Sequence, residues 1–311
     1  MGVRAQLPQL SGEMFITDGG METTLIFDDG IDLPDFASFV LLNDAAGIEA
    51  LRAYYATYLE IAAEHGVGIV LDTPTWRANP DWGNRLGYST EALADIDRRG
   101  VALLEDLRAT GNGAPQLIIS GCIGPRGDGY RVDNEMTAEE AQRYHQPQVE
   151  AFANSAADLV SALTLTYADE AIGVARAARD AEIPIVISFT VETDGRLPSG
   201  QSLREAIEAV DAETDGSIAY FMINCAHPTH FAHVLEEEGD WRGRIRGLRT
   251  NASEKSHAEL DEAEELDPGD PTALAQHYRE LQTRLPNLTV VGGCCGTSHR
   301  HVAGICAAMT P

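Results

Sequence analysis

The chain has 311 residues, 44% of them hydrophobic, which is enough to bury the core of one large domain or two smaller ones. Its formal net charge of −27 would repel nucleic acid and anionic membranes, so neither is expected as a partner. No apolar run approaches the roughly 20 residues that span a bilayer, and residues 1–12 lack the features of a signal peptide.

Short apolar, β-branched runs alternate along the chain with longer stretches of helical periodicity. Strands are predicted at residues 14–17, 67–71, 116–120, 159–165, 184–189, 218–223, 245–249 and 288–291. Helices are predicted at residues 45–65, 90–109, 137–156, 168–181, 202–210, 229–238, 272–283 and 298–308. Two helix starts, at Thr137 and Ser202, have the sequence of a capping box. The densest acidic run, residues 259–270, is predicted to be a solvated loop.

Eight strand–helix units predict a (β/α)8 barrel that forms a single domain over residues 1–311. A doubly wound sheet is the competing α/β arrangement, but it usually carries a nucleotide site. The chain contains neither Gly-x-Gly-x-x-Gly nor a P-loop, and the Gly-rich segment 121–129 lacks the Gly-Lys-Ser/Thr ending. The barrel is therefore the preferred interpretation.

Three cysteines follow predicted strands, at the end where barrel enzymes have their active sites. Cys225 ends the sixth strand, and the adjacent Cys294 and Cys295 follow the eighth. Three thiolates around one zinc ion leave a fourth position for a ligand, as in catalytic rather than structural sites. A thiol bound there would be held deprotonated. This pattern predicts thiol alkylation in a reducing, cytoplasmic setting.

The residues alone leave other interpretations of these cysteines open. They could be ordinary core residues, a strained vicinal disulfide, or a closed zinc site with Cys122, His227 or His230 as a fourth ligand. Cys122 and Cys306 are themselves predicted to be packed side chains. No general-base histidine is required once a metal removes the thiol proton.

The chain resembles the homocysteine S-methyltransferase family in motifs that span nearly its whole length. These motifs are Asp18-Gly-Gly20, Gly124-Pro125, Ser188-Phe-Thr190, Asn224-Cys225 with Pro228, and Gly292-Gly-Cys-Cys-Gly296. The resemblance implies a zinc-dependent barrel enzyme in which Cys225, Cys294 and Cys295 hold the metal and act through it. It also implies that Asp18 and Gly19 hold the acceptor amino acid. Asp72 and Asn224 are further candidates for substrate binding.

The activity that the resemblance implies is direct methyl transfer from a sulfonium or similar onium donor to homocysteine, as in methionine biosynthesis. Its partners would be two small molecules, the thiol acceptor and the methyl donor, and a homo-oligomer is compatible with the sequence. Trp76 and Trp82, after the second strand, could contact a cationic donor through their ring faces. Packing within their own loop is the alternative for both.

One position departs from the family pattern. Leu163 stands where the family usually has the glutamate of a Glu-Thr pair that helps to bind the acceptor's ammonium group. Either Asp18, Asp72 and backbone carbonyls suffice, or the acceptor is another small thiol or a selenol. A non-catalytic zinc-binding protein, and a module that takes its methyl group from a corrinoid partner, are the remaining alternatives. The fourth zinc position separates an enzyme from a structural site.

Overall fold

A computed structural model describes residues 3–110, 113–263 and 265–310 of the chain. Eight parallel strands form one closed sheet in which each strand pairs with the next. The first and the last strand close the ring, with Phe15 opposite Val290 and Ile16 opposite Val291. Helices lie between successive strands, so the predicted (β/α)8 barrel is confirmed.

The strands and helices are bounded as follows. The strands are β1 Phe15–Ile16, β2 Gly68–Asp72, β3 Leu117–Ile123, β4 Leu159–Leu165, β5 Ile185–Phe189, β6 Tyr220–Asn224, β7 Ile245–Thr250 and β8 Val290–Gly293. The α-helices of the described residues are α1 Met21–Thr23, α2 Ala45–His65, α3 Pro80–Arg85, α4 Thr90–Ala109, α5 Ala138–Ala153, α6 Ala168–Asp180, α7 Leu203–Glu213, α8 Pro228–Phe231, α9 His257–Asp261, α10 Pro271–Gln282 and α11 His299–Met309. Both predicted capping boxes are present, at the starts of α5 and α7.

One local prediction was wrong, and a second was right only in part. The helix expected at 229–238 is only the single turn α8, followed by a 3₁₀ turn at Val234–Glu236. Side chains of Arg284 and Arg242 donate to the carbonyls of Ala232 and Leu235, which a continuous helix would use itself. The acidic run 259–270 is not simply a loop in solvent, because α9 occupies its start and Leu260, Asp261 and Leu266 line a cavity.

The interior of the barrel changes from apolar to polar along the strands. A separate apolar cluster fills the end nearest the strand N-termini; it includes Phe15, Val70, Ile118, Leu159, Val186, Tyr220 and Val290. Alternate strand residues share a face, so residues two positions further on also point inward. In β2 to β5 those residues are Asp72, Ser120, Ser161 and Ser188, all buried. The interior therefore becomes polar toward the C-terminal mouth.

Within the described residues, no helix combines the length and the apolar character needed to cross a membrane.

Tyr278 of α10 joins the last two strands from outside the sheet. Its buried hydroxyl accepts a hydrogen bond from Thr250 N at 3.1 Å and donates to Gly292 O at 2.5 Å. Tyr278→Phe would leave the amide of Thr250 without that partner, and we expect a loss of about 1–3 kcal/mol in the free energy of unfolding. Urea denaturation of the variant and the wild type measures this difference in the free energy of unfolding.

Tyr88→Phe is the matched control, because among the described residues the Tyr88 hydroxyl has a hydrogen bond only with the exposed side chain of Asn43. We expect a change within about 0.5 kcal/mol for this variant. Equal losses in the two variants would contradict the role assigned to Tyr278.

Candidate metal and substrate site at the barrel mouth

Three cysteine sulfurs meet at the C-terminal mouth. The Sγ atoms of Cys225, Cys294 and Cys295 all lie within 4.8 Å of one another, and those of Cys225 and Cys295 are 3.9 Å apart. Zinc–sulfur bonds of about 2.3 Å in a tetrahedron place sulfurs about 3.8 Å apart, so this set fits a zinc ion. All five cysteines are free thiols, and the arrangement is therefore not a vicinal disulfide.

The backbone at Cys225 departs from strand geometry. In a regular strand Cys225 would face away from Asn224, yet both side chains line the same cavity. Cys225 has a φ of 55°, in the left-handed region, and Thr164 on β4 has a φ of 64°. Non-glycine residues adopt this conformation at a cost, and such residues cluster at functional sites. The strain turns Cys225 toward the other two sulfurs.

Asn224 fixes the strained backbone next to the sulfurs. Its Oδ1 accepts hydrogen bonds from Thr164 N at 2.9 Å and from Ser188 Oγ at 2.6 Å. Its Nδ2 donates to Thr164 Oγ1 at 2.8 Å and lies 3.9 Å from the sulfur of Cys294. The amide thus joins β4, β5 and the cysteine loop. Direct contact of Asn224 with a substrate stays a prediction.

Glycines let the loop after β1 approach the cysteine loop. Gly20 N donates to Thr297 O at 3.0 Å, and Gly293 N donates to Asp18 O at 2.9 Å. A Cβ atom on Gly20 would lie 2.6 Å from the carbonyl oxygen of Cys294, and one on Gly19 would lie 2.7 Å from that of Thr297. Both distances are too short, so the glycine pair permits this contact.

The sulfurs interact with one another and with Tyr130. Hydrogen bonds with Cys225 and Cys295 hold the pKa of the Cys294 thiol well below its usual range, despite burial. Hydrogen bonds with the other two cysteines, together with burial, raise the pKa of Cys225. The hydroxyl of Tyr130 lies 3.5 Å from the sulfur of Cys295, and its ring stacks on His257 with centroids 4.0 Å apart.

A buried ion triad lies beside the cysteines, and the sequence analysis missed its central member. Arg249, on β7, pairs with both Asp18 and Asp72. Burial raises the pKa of Asp18 to about 7 against the opposing effect of Arg249, and Tyr54 donates to the same carboxylate at 3.1 Å. The available signal was an arginine at the last position of the predicted strand 245–249.

One cavity of about 430 Å³ unites these groups. Its lining contains all the residues predicted to hold the metal or the acceptor: Asp18, Gly19, Asp72, Asn224, Cys225, Cys294 and Cys295. Leu163 and Cys122 also line it, so the departure from the family pattern lies inside the site. Together the residues could hold a metal and a small polar molecule side by side.

The histidines considered as a fourth metal ligand do not lie at the three sulfurs. Among the described residues, no fourth cysteine, histidine or carboxylate joins the three sulfurs. His227 instead groups with Glu254 and His277, and burial, with His277 and His230 nearby, lowers its pKa to about 4.

Cys306 is buried in α11, as predicted. Trp82 is absent from the cavity lining, and both Arg77 and Arg85 lie over its ring, which favours loop packing for this residue.

Comparison with known proteins identifies one enzyme family. The family described as "Homocysteine S-methyltransferase" matches residues 15–309. Homocysteine S-methyltransferase YbgG from Bacillus subtilis is 26% identical over 62% of this chain and 62% of its own length. The selenocysteine Se-methyltransferase of Brassica oleracea is 22% identical over 96% of this chain and 90% of its own. The metallated form of the homocysteine methyltransferase MmuM from Escherichia coli superposes with a TM-score of 0.73 at 21% identity, covering 98% and 99% of the two chains.

Removing the central cation of the triad should destabilise the protein in a pH-dependent way. Arg249→Leu leaves Asp18 and Asp72 buried without their partner, and we expect a loss of about 3–5 kcal/mol at pH 7.5. A carboxyl group whose pKa is higher in the folded than in the unfolded chain destabilises the fold when ionised. Arg249 opposes the rise that burial causes in the pKa of Asp18, so its removal should raise that pKa further, and protonation at pH 5.5 should shrink the deficit. Urea denaturation at both pH values measures this.

Arg244→Leu is the control, because Arg244 pairs with Asp211 at a half-exposed site. We expect a loss of about 1 kcal/mol or less, with no recovery at pH 5.5. An Arg249→Leu deficit that is the same at both pH values would show that Asp18 and Asp72 are not the source of the instability.

Proposed function

Because the chain belongs to the homocysteine S-methyltransferase family and is a methyltransferase, we propose that it transfers a methyl group from an onium donor to the thiol of homocysteine, giving methionine. One zinc ion is held by Cys225, Cys294 and Cys295. The observation that supports this most directly is the set of three sulfurs within 4.8 Å of one another, beside a cavity of about 430 Å³. An accessible fourth position is what a catalytic zinc needs and a structural zinc lacks.

When bound, zinc supplies a Lewis acid that accepts the acceptor thiol as a ligand and keeps it deprotonated at neutral pH. The protein's part is to hold the three sulfurs in place. Asn224 and Thr164 have polar hydrogens near Cys294 and Cys225, and Tyr130 has one near Cys295. Donation to a sulfur favours its thiolate form. The five free thiols also fit a reducing compartment, and we place the protein in the cytoplasm.

The ion triad provides the site for the acceptor's ammonium group. Two carboxylates and one guanidinium leave one net negative charge when Asp18 and Asp72 are both ionised. An ammonium group beside Asp18 neutralises that charge and favours the ionised carboxylate. Gly19 lets the acceptor's backbone approach closely, and Leu163 contacts its methylene groups instead of supplying a further carboxylate.

The outer part of the cavity suits a donor with a positive charge. Glu22, Asp128, Asp261 and Asp267 line it and make its mouth acidic. The cavity holds the donor's methyl group in line with the acceptor sulfur, and such positioning accounts for much of the rate of a bimolecular transfer. The leaving donor becomes neutral as its methyl group departs, so no proton has to move in this step.

A second acceptor class, another small thiol or a selenol, is favoured by one observation. Leu163 lies in the cavity lining where the family usually offers a carboxylate to the ammonium group. A selenol or thiol without an amino group would need no such partner. The comparison of acceptors described below separates the two classes.

Zinc content tests the metal site. The protein purified under reducing conditions should contain about one zinc per chain, and Cys225→Ala, Cys294→Ala and Cys295→Ala should each lose it, because two sulfurs do not complete the site. Elemental analysis by mass spectrometry measures the stoichiometry. Cys306→Ala is the control and should keep its zinc. Retention of full zinc by all three cysteine variants would refute the proposed ligand set.

Acceptor selectivity tests the ammonium site. Asp18→Asn should lower kcat/KM for homocysteine by about tenfold or more, equivalent to about 1.4 kcal/mol, because the neutral amide attracts an ammonium group less. The kcat/KM for butanethiol, which has no ammonium group, should fall by less than about threefold. Steady-state kinetics with both thiols and one sulfonium donor give the ratio, after circular dichroism has shown that the variant is folded.

Asp211→Asn is the control, because Asp211 lies outside the cavity lining, and it should leave kcat/KM for both thiols unchanged. Equal losses for the two thiols in Asp18→Asn would refute the ammonium site. Wild-type protein that strongly prefers thiols without an amino group would support the second acceptor class.

A further inference from the structure

Arg77 occupies an unusual position in the cavity. It follows β2, lines the outer part of the cavity, and is half-buried. Its guanidinium carbon lies 4.4 Å from the ring centroid of Trp76 and 3.8 Å from that of Trp82. Stacking on two indole rings fixes the plane and direction of the guanidinium group.

The hydrogen-bonding capacity of Arg77 is largely unused. Within the described residues its one hydrogen bond is from Nη1 to Gly127 O, at 3.2 Å. Its Nε is buried and has no partner in the same part of the chain. Asp128, Glu22 and Asp35 attract it from a distance, but none of the described carboxylates lies within 4.0 Å of its nitrogens.

The contrast with the other arginine of the cavity is informative. Arg249 pairs with two carboxylates and also donates to Gly293 O at 3.2 Å. Arg77 carries the same charge, since an arginine keeps its proton even though burial lowers its pKa. Leaving a partly buried donor without an acceptor is costly, and ligand-binding sites are a common reason for such a group.

The chemistry of the group selects the ligand. A planar guanidinium presents two parallel N–H donors, which match the two oxygens of a carboxylate. We propose that Arg77 binds the α-carboxylate of an amino-acid substrate at the outer part of the cavity. This inference rests on the proposed function, in which homocysteine is the acceptor and an amino-acid sulfonium is one class of donor. The carboxylate belongs either to the acceptor or to the donor, and the experiment distinguishes them.

The position of Arg77 gives this contact a structural basis. Trp76, on which Arg77 stacks, donates from Nε1 to Leu163 O at 3.3 Å, and Trp82 donates to the same Gly127 O that Arg77 uses, at 3.4 Å. The guanidinium is therefore attached to β4 at the acceptor site through one ring and to the loop after β3 through the other. A substrate carboxylate at Arg77 and an ammonium group at Asp18 would use opposite charges on two parts of one cavity.

Binding experiments without turnover test the proposal. Isothermal titration calorimetry, without any thiol acceptor present, compares the amino-acid sulfonium S-methyl-L-methionine with S-methylmethioninol, a sulfonium that lacks the carboxylate. A second pair compares homocysteine with 3-aminopropane-1-thiol. We expect Arg77→Gln to weaken the carboxylate-bearing member of at least one pair by about tenfold or more, and to change its carboxylate-free partner by less than about twofold. A loss in the first pair assigns the carboxylate to the donor, and a loss in the second assigns it to the acceptor.

Arg85→Gln is the matched control. Arg85 also lies over the Trp82 ring, at 4.5 Å, but it is paired with Asp35 and is absent from the cavity lining. This variant should leave all four affinities unchanged. Equal weakening within each pair by Arg77→Gln would indicate a purely structural role and overturn the proposal, as would wild-type protein that binds neither carboxylate-bearing ligand.

The outcome is separable from that of the proposed function. Carboxylate-selective binding that depends on Arg77, in a protein that transfers no methyl group to homocysteine, would refute the proposed reaction and leave the role of Arg77 standing. If homocysteine is methylated but Arg77→Gln changes none of the four ligand affinities, the proposed reaction stands and the role of Arg77 is refuted.

Discussion

The parallel pairing of β1 with β8, with Phe15 opposite Val290 and Ile16 opposite Val291, closes the sheet into a barrel. This pairing brings the loop that carries Asp18 against the loop that carries Cys294 and Cys295, although the two are far apart in sequence. Gly293 N donates to Asp18 O, and Gly20 N donates to Thr297 O, across this junction. The Asp18 carboxylate and the two adjacent cysteines are neighbours because the barrel is closed.

The gradient of polarity along the strands explains why the site lies at one end. The end nearest the strand N-termini is filled by a cluster of mostly apolar side chains, which are buried and therefore out of reach of a substrate. Toward the other end, the inward positions of β2 to β5 present a carboxylate and three hydroxyls, and Asn224, Arg249 and the cysteines line the mouth. The backbone then departs from regular strand geometry at Thr164 and Cys225, where positive φ angles turn successive side chains into one cavity. The side-chain amide of Asn224 holds Thr164 through hydrogen bonds to its backbone and its hydroxyl, and it also accepts a hydrogen bond from Ser188.

The cavity shares the acidic character of the whole chain but contains two buried or half-buried arginines. The chain as a whole carries a net charge of −27, and the cavity wall is also rich in carboxylates. Two arginines break this pattern. Arg249 is paired with Asp18 and Asp72 and makes their burial tolerable, since isolated buried carboxylates would be costly. Arg77 has indole rings as neighbours in place of carboxylates, which leaves its donors available to a ligand.

The sequence by itself determined the number and order of the strand–helix units and most helix starts, because hydrophobic periodicity and capping depend on residues a few positions apart. It also placed the three cysteines at strand ends, from which their convergence follows once a barrel is assumed. Only the tertiary structure decided the partners of Arg249, which lie 177 and 231 positions away in the chain. It likewise decided that Arg242 and Arg284 interrupt the helix expected at 229–238, and that part of the acidic segment 259–270 forms a cavity wall. These features depend on side chains meeting across a closed sheet, and no local pattern records which side chains will meet.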